Sequence, residues 1–281
     1  MKNIQNINIE YVKDKSKLTL LMAAMIALLL ALSVSASWAK PEADEFDEAY
    51  IFFELNNTDG DLGIHAKIDG EPWKWLTIKD HKNKRVLTVN TKSRLRRQGL
   101  TELFFESAEP PFDELSPDKF FNRFPEGEYT VTGRTLERIK VRSKVVLSHV
   151  MPAPPEVWLE GNYETVAAAE NCDVEDLPEF EFGETITIIW YPVETSHPDL
   201  GAYGDIEVHN YEVVVEIDET PWKTSSILSP DDTMFVIPQE ILALAEFDEE
   251  GEAEVKFEVL VRAEESFNQT AVESCFVLVQ P

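Results

Sequence analysis

The chain has 281 residues, with 53 acidic residues against 25 basic ones and a formal net charge of −28. Its hydrophobic share of 43% excludes a disordered chain, because such chains bury too little apolar surface to offset the conformational entropy lost on folding. The negative charge excludes nucleic-acid binding by the chain as a whole, and two cysteines exclude a cysteine-rich zinc protein.

Residues 1–39 have the order of a secretory signal. Lysines precede a nearly unbroken apolar run at 18–32, and the small residues Ser37 and Ala39 follow it. This order predicts cleavage after Ala39 and a secreted or periplasmic protein, with association to the cell surface as one form of that localisation. The alternative is an uncleaved membrane anchor, because the run up to Ala39 is long enough to span a bilayer. A cleaved chain would have no membrane span.

The next part of the chain is predicted to be all-β. Residues 40–49 indicate an acidic linker, and residues 50–149 an N-terminal β-sandwich-like domain of about six strands. One short helix is expected to begin at Ser116, an N-cap residue followed by a proline and an acidic residue, and to end before Pro125.

A hairpin is predicted around Asp69-Gly70, the dipeptide favoured in type I′ turns. It separates two segments, 63–68 and 71–78, in which apolar and polar residues alternate. The register of such a hairpin places Trp73 and Trp75 together on a buried face. The alternative is an exposed pair of tryptophans that stacks on sugar rings.

The loop before this segment is a candidate calcium site. Calcium prefers oxygen ligands, and three oxygen-bearing side chains alternate there: Asn57, Asp59 and Asp61. The alternative is an ordinary turn rich in Asp, Asn and Gly. No other cofactor is predicted.

Basic residues of the N-terminal half form two groups. One is nearly consecutive between residues 79 and 97. The other alternates with apolar residues along one predicted strand and so forms a basic face: Arg138, Lys140, Arg142 and Lys144. This face is interpreted as a solvated strand face, as a site for a polyanion or acidic glycan, or as a surface on which the acidic half of this or another copy docks.

Nearly all of the negative charge lies in the C-terminal half. Residues 40–150 have a net charge of −2, whereas residues 151–281 carry three basic and 31 acidic residues. This change in composition, together with the prolines at 152–155, predicts a domain boundary and a second domain over 150–281.

The C-terminal half resembles a fibronectin type III domain. The resemblance is carried by a proline-rich entry at Pro154-Pro155, by Trp190 in the second predicted strand, by Tyr211 at the start of the third, and by a closing strand pair at 255–279. Phe257 stands where that family usually has tyrosine. The resemblance covers residues 150–281 and implies an extracellular scaffold that acts as a spacer or binding module. Together with the N-terminal β-sandwich-like domain, it gives an expected fold of two β-sandwich domains, immunoglobulin-like or fibronectin type III-like.

Cys172 and Cys275 are the only cysteines. In an exported chain they would meet oxidising conditions, so a disulfide between them is predicted. The alternative is two unpaired cysteines.

No catalytic motif occurs in the sequence: there is no Gly-x-Ser-x-Gly, His-Glu-x-x-His, Walker or dinucleotide-binding segment, and the five histidines are isolated. The sequence therefore predicts an exported, non-enzymatic binding or structural module of the cell surface, periplasm or exterior. Its expected partner is a protein or a glycan. The alternatives are a calcium- or carbohydrate-binding accessory protein and, more distantly, a secreted hydrolase that uses two carboxylates.

Overall fold

The computed structural model describes residues 43–174 and 176–280. The predicted signal, residues 1–39, lies outside the described residues. In the N-terminal half the elements are β1 (Glu48–Asn56), β2 (Asp61–Lys79), β3 (Arg85–Asn90), α1 (Ser93–Gln98), β4 (Leu100–Glu106), α2 (Pro117–Arg123), β5 (Gly127–Thr135) and β6 (Lys140–Leu147). In the C-terminal half they are β7 (Val157–Glu160), β8 (Thr165–Ala167), β9 (Glu179–Glu181), β10 (Thr187–Trp190), β11 (Val208–Ile217), β12 (Lys223–Leu228), β13 (Met234–Val236), α3 (Gln239–Leu242), β14 (Glu252–Ala263) and β15 (Gln269–Val279).

The strands form two sheets, so the predicted all-β fold is confirmed. The long sheet has the order β12-β11-β14-β15-β1-β2-β5-β6, with β3 and β4 paired to β2 and β9 paired to β15. The short sheet has the order β13-β10-β7-β8.

The long sheet crosses from one half of the chain to the other at β1 and β15, which run parallel. Glu54 lies opposite Gln269, and Asn56 lies opposite Ala271. The fully buried Asn268 reinforces this junction, since its Oδ1 accepts a hydrogen bond from the amide of Phe53 at 2.8 Å. Its Nδ2 donates to the carbonyl oxygens of residues 148 and 150. Asn268, in the turn between β14 and β15, thus connects β1 to residues 148–150, which link the two halves of the chain.

Two hydrophobic cores lie on either side of this link. One contains buried residues between Phe46 and Met151, and the other buried residues between Val157 and Leu278. The sequence predicts a domain boundary at residue 150. Strands of both halves belong to one hydrogen-bonded sheet, and the boundary stays a prediction.

The C-terminal core lies between the two sheets. Trp190 enters it from the short sheet, while Tyr211 and Phe276 enter it from the long sheet. The alternation in the third predicted strand is confirmed, because every second residue of β11 from Tyr211 to Ile217 is at most 1% exposed. These strands form because a period of two buries one face of each strand against the opposite sheet.

The N-terminal core is covered by the long sheet and by α2. Phe120 and Phe121 of α2 pack edge-on against Phe53 of β1. The short helix expected after Ser116 is therefore confirmed. At the edge of the sheet, the amide of Asp44 donates to the carbonyl of Lys140 at 3.1 Å, so the segment that enters β1 reaches β6 and the sheet curls around this core.

The predicted hairpin at Asp69-Gly70 is wrong. β2 runs through this dipeptide as one strand of 19 residues, and neither Asp69 nor Gly70 has the positive φ that a type I′ turn requires. The first part of β2 instead pairs with β1, and the true turn is at residues 56–61. Trp73 is buried as expected, but Trp75 is only half-buried, because register irregularities on either side of Trp73 shift the alternation.

A candidate ligand groove on the long sheet

A groove of about 310 Å³ lies on the outer face of the long sheet and crosses from β4 to β11. The N-terminal half contributes side chains from β1, β2 and β4, and the C-terminal half contributes side chains from β11, β14 and β15. They are Phe52, Glu54, His65, Phe104, Glu106, Glu212, Val214, Glu258, Leu260, Arg262 and Gln269. These residues share the outer face because each lies at an alternate position of a strand whose other face is buried.

A continuous chain of polar contacts crosses the groove. Arg262 donates from Nε and Nη2 to Oε1 of Gln269, at 3.0 and 2.7 Å. The Nε2 of Gln269 donates to Glu54. Oε2 of Glu54 lies 3.7 Å from Nδ1 of His65, whose Nε2 lies 3.0 Å from Oε1 of Glu109. The chain thus links a strand of the C-terminal half to a loop of the N-terminal half.

Glycine at position 63 is required for the last of these contacts. A Cβ at Gly63 would overlap the side chain of Glu109, which lies directly over this residue. The absence of a side chain at Gly63 therefore lets Glu109 reach His65, which is itself only 3% exposed. The pair of carboxylates holds the imidazole between β1 and the loop after β4.

Burial perturbs the titration of the groove. Burial raises the pKa of Glu258 to about 7, and the negative charges of Glu54 and Glu273 act in the same direction. Burial also raises the pKa of Glu54 to about 6, although the charge of His65 opposes this shift. For His65, burial lowers the pKa, but the hydrogen bond to Glu109 and the charge of Glu54 outweigh that effect, so its pKa is raised. The carboxyl of Glu258 therefore keeps a large part of its proton at neutral pH.

A larger cleft, of about 960 Å³, lies between the end of β6, residues 204–207 and the turn from β14 to β15. Its charged lining residues are Asp205, Glu207 and Glu265. Within the described residues, these three carboxylates are not joined by a chain of side-chain contacts like that of the groove. We therefore take the groove as the candidate functional site.

The candidate calcium residues lie in the turn between β1 and β2. Oδ1 of Asn57 is 3.0 Å from Nε2 of His197, and Oδ2 of Asp59 accepts a hydrogen bond from Asn56 at 3.0 Å. Burial raises the pKa of Asp61 to about 6, helped by the charges of neighbouring carboxylates. Calcium binding at this turn stays a prediction.

The predicted disulfide is confirmed, with Cys172 bonded to Cys275 of β15. Within the described residues, one group of three potential metal ligands has its ligand atoms within 4.8 Å of one another. It consists of Glu254 and the two cysteines, whose sulfurs are already bonded to each other. The bridge holds the long segment before β9 against the long sheet.

The predicted basic face lies on β6, the edge strand of the long sheet. All four of its residues are exposed, and Lys144 forms an ion pair with Glu128 at 3.0 Å. Arg138 lies in the turn before β6, at a positive φ of 72°. The basic face and the groove are separate surfaces, because none of the four basic residues lines the groove.

Sequence reasoning did not find the groove. Its residues come from segments about 200 positions apart, and only the pairing of β1 with β15 brings Glu54 to the strands that carry Glu258 and Arg262. The sequence signal that could have indicated the groove is a charged residue inside each of several apolar strands, for example Glu54 after Phe52 and Phe53.

The fold defines an all-β protein with two packed sheets. No family model matches the chain, and no curated protein matches it in sequence. Among solved structures it is similar to one described as "Biofilm associated protein - BSP domain", with a TM-score of 0.20 and 9% sequence identity. That similarity covers 86% of this chain and 62% of the other, so this chain spans less than two thirds of that one's length. The fibronectin type III family stays a prediction.

None of the helices in the described ranges is long and apolar enough to cross a membrane.

Proposed function

We propose that the chain is an exported, non-enzymatic binding module and that the groove on the long sheet contacts its ligand. One observation carries this proposal: strands from both halves bring carboxylates, an amide, an imidazole and an aromatic ring to one concave surface. Export rests on the signal-like residues 1–39, and the absence of a catalytic motif supports a binding role.

The groove best fits a hydroxyl-rich ligand such as a glycan. The carboxyl oxygens of Glu106 and Glu212 can accept hydrogen bonds from hydroxyl groups, and Arg262 can donate to them. Phe104 is 56% exposed at the edge of the groove, where its ring offers an apolar surface for a sugar face. A concave site with an aromatic wall and a few convergent polar groups is typical of small-ligand recognition.

The test is a titration of the protein with soluble oligosaccharides of three kinds: neutral sugars, amino sugars and acidic sugars. The NMR signals of His65 report the binding. Binding in the groove should shift these signals. Phe104→Ala should weaken the binding, whereas Tyr203→Ala, which removes another exposed aromatic ring outside the groove, should not. Unchanged signals with every sugar class would contradict a glycan ligand.

A second candidate function is hydrolysis, favoured by two carboxyl groups, those of Glu54 and Glu258, that line the same groove. A carboxyl that keeps its proton near neutral pH beside ionised carboxylates is the arrangement that acid–base catalysis needs. The same oligosaccharides should then be cleaved, with new reducing ends that disappear in Glu258→Gln. Turnover of this kind would replace the non-enzymatic proposal.

A further inference from the structure

The outer face of the short sheet carries a row of apolar side chains. Met234, Ile189 and Trp158 lie side by side in register on three neighbouring strands. Met234 is 53% exposed, and Tyr191, 62% exposed, packs against Trp158 with ring centroids 4.6 Å apart. An antiparallel sheet with one buried face commonly presents polar residues to water on the other face. This apolar surface, the short-sheet face, is therefore left uncovered by residues 43–174 and 176–280.

The charges around the short-sheet face are negative. Glu156 and Glu160 lie two residues to either side of Trp158 and therefore on the same face of its strand. The four strands of the short sheet contain no lysine or arginine. The face therefore suits a partner that combines apolar and cationic side chains.

The basic face of β6 has this chemistry. Lys140, Arg142 and Lys144 point to the same side of the strand, and the next residue on that side, Val146, is 64% exposed. The row from Lys140 to Val146 is roughly 20 Å long, and the width of the four-stranded short sheet is roughly 15 Å, so the two surfaces are similar in size. Within one chain, β6 is the edge strand of the long sheet and is fixed there by its pairing with β5, and it forms no strand pair with the short sheet within the described residues.

We propose that the basic face of β6 docks on the short-sheet face of a second copy of this chain. The cations of β6 lie against Glu156 and Glu160, and Val146 contacts the apolar row. Because the two surfaces differ, the contact is head-to-tail. One copy of a dimer keeps a free short-sheet face and the other keeps a free basic face. Such contacts extend into chains of molecules unless the rotation between copies closes a ring.

The test is the mass distribution of the full exported chain in sedimentation velocity at physiological ionic strength. Charges within the interface still act there, while the long-range repulsion between acidic copies is screened beyond about 8 Å. The wild type should form dimers and larger species as concentration rises. Lys140→Glu/Arg142→Glu/Lys144→Glu should raise the dissociation constant at least about tenfold.

The matched control reverses three exposed cations of the other basic group, in Lys82→Glu/Lys84→Glu/Arg85→Glu. It changes the net charge by the same amount and should associate like the wild type. Equal weakening by both triple variants would overturn the docking model, because a general charge effect would then explain the loss.

A second variant keeps the proposal testable if the β6 variant folds poorly. Met234→Ser/Val236→Ser removes two half-exposed apolar side chains from β13 and should also give monomers. Where the β6 variant does fold, its mixture with this variant has one intact surface of each kind, so the mixture should form dimers and no larger species. Monomeric wild type at all concentrations, or larger species in the mixture, would overturn the proposal.

Discussion

Replacing Glu258 by glutamine should change the pH dependence of folding stability. Burial raises the pKa of this carboxyl from its ordinary value of 4.5 to about 7 in the folded chain. The folded state therefore binds more protons than the unfolded state between these values. Stability from this group is fully present below about pH 4.5 and is lost as the pH rises through about 7.

The size of the effect follows from the shift. The rise in pKa from 4.5 to about 7, at about 1.4 kcal/mol per pKa unit, gives a loss of about 3.5 kcal/mol between acidic and alkaline pH. Glutamine keeps the shape of the side chain and cannot ionise. Glu258→Gln should therefore have nearly wild-type stability at about pH 4 and up to about 3.5 kcal/mol more than the wild type at alkaline pH. Glu54, whose pKa is about 6, leaves a smaller loss in the same direction.

Urea unfolding followed by tryptophan fluorescence, at acidic and alkaline pH and with the disulfide intact, measures this difference. Glu102→Gln is the control, because Glu102 is an exposed residue of β4 outside the groove. A gain that is equal at both pH values would refute the reasoning, as would a loss of stability at about pH 8, since either result would mean that ionisation of Glu258 does not oppose folding.

Three further perturbations test the junction, the bridge and the groove. Serine in place of both half-cystines should lower stability by up to about 4–5 kcal/mol in the chain-entropy description, since the bridge closes a sequence separation of 103 residues, and urea unfolding measures the loss. Asn268→Ala should cost at least about 2 kcal/mol, because it leaves the buried amide of Phe53 and two carbonyls without their partner, and a cost under about 0.5 kcal/mol would contradict that role. Gly63→Ala should displace Glu109 and lower the pKa of His65, which an NMR titration of the imidazole would show; an unchanged titration would mean that Glu109 does not set this pKa.

Local patterns predicted the parts of the fold that depend on neighbouring residues. Alternation gave the buried face of β11 from Tyr211 onward, and the order serine, proline and acid gave α2. The prediction at Asp69-Gly70 was wrong because turn chemistry is a local preference, and β2 gains more from pairing with β1 and β4 as one strand. Strand register between distant segments has no local signature. The groove could therefore not be predicted from the sequence. The disulfide could be predicted, because an exported chain meets oxidising conditions and this chain has two cysteines.

The parallel pairing of β1 with β15 has a mechanical consequence. If residues 43 and 280 were pulled apart, the two strands would be drawn in opposite directions along their length, so their hydrogen bonds would be loaded together in shear instead of opening one at a time. The disulfide between Cys172 and Cys275 would then limit the extension, because the segment between the two cysteines cannot be stretched while the disulfide is intact. Only the N-terminal half and its link would extend, by roughly 450 Å of contour for about 130 residues. Reduction would release the enclosed segment as a second, separate length of chain.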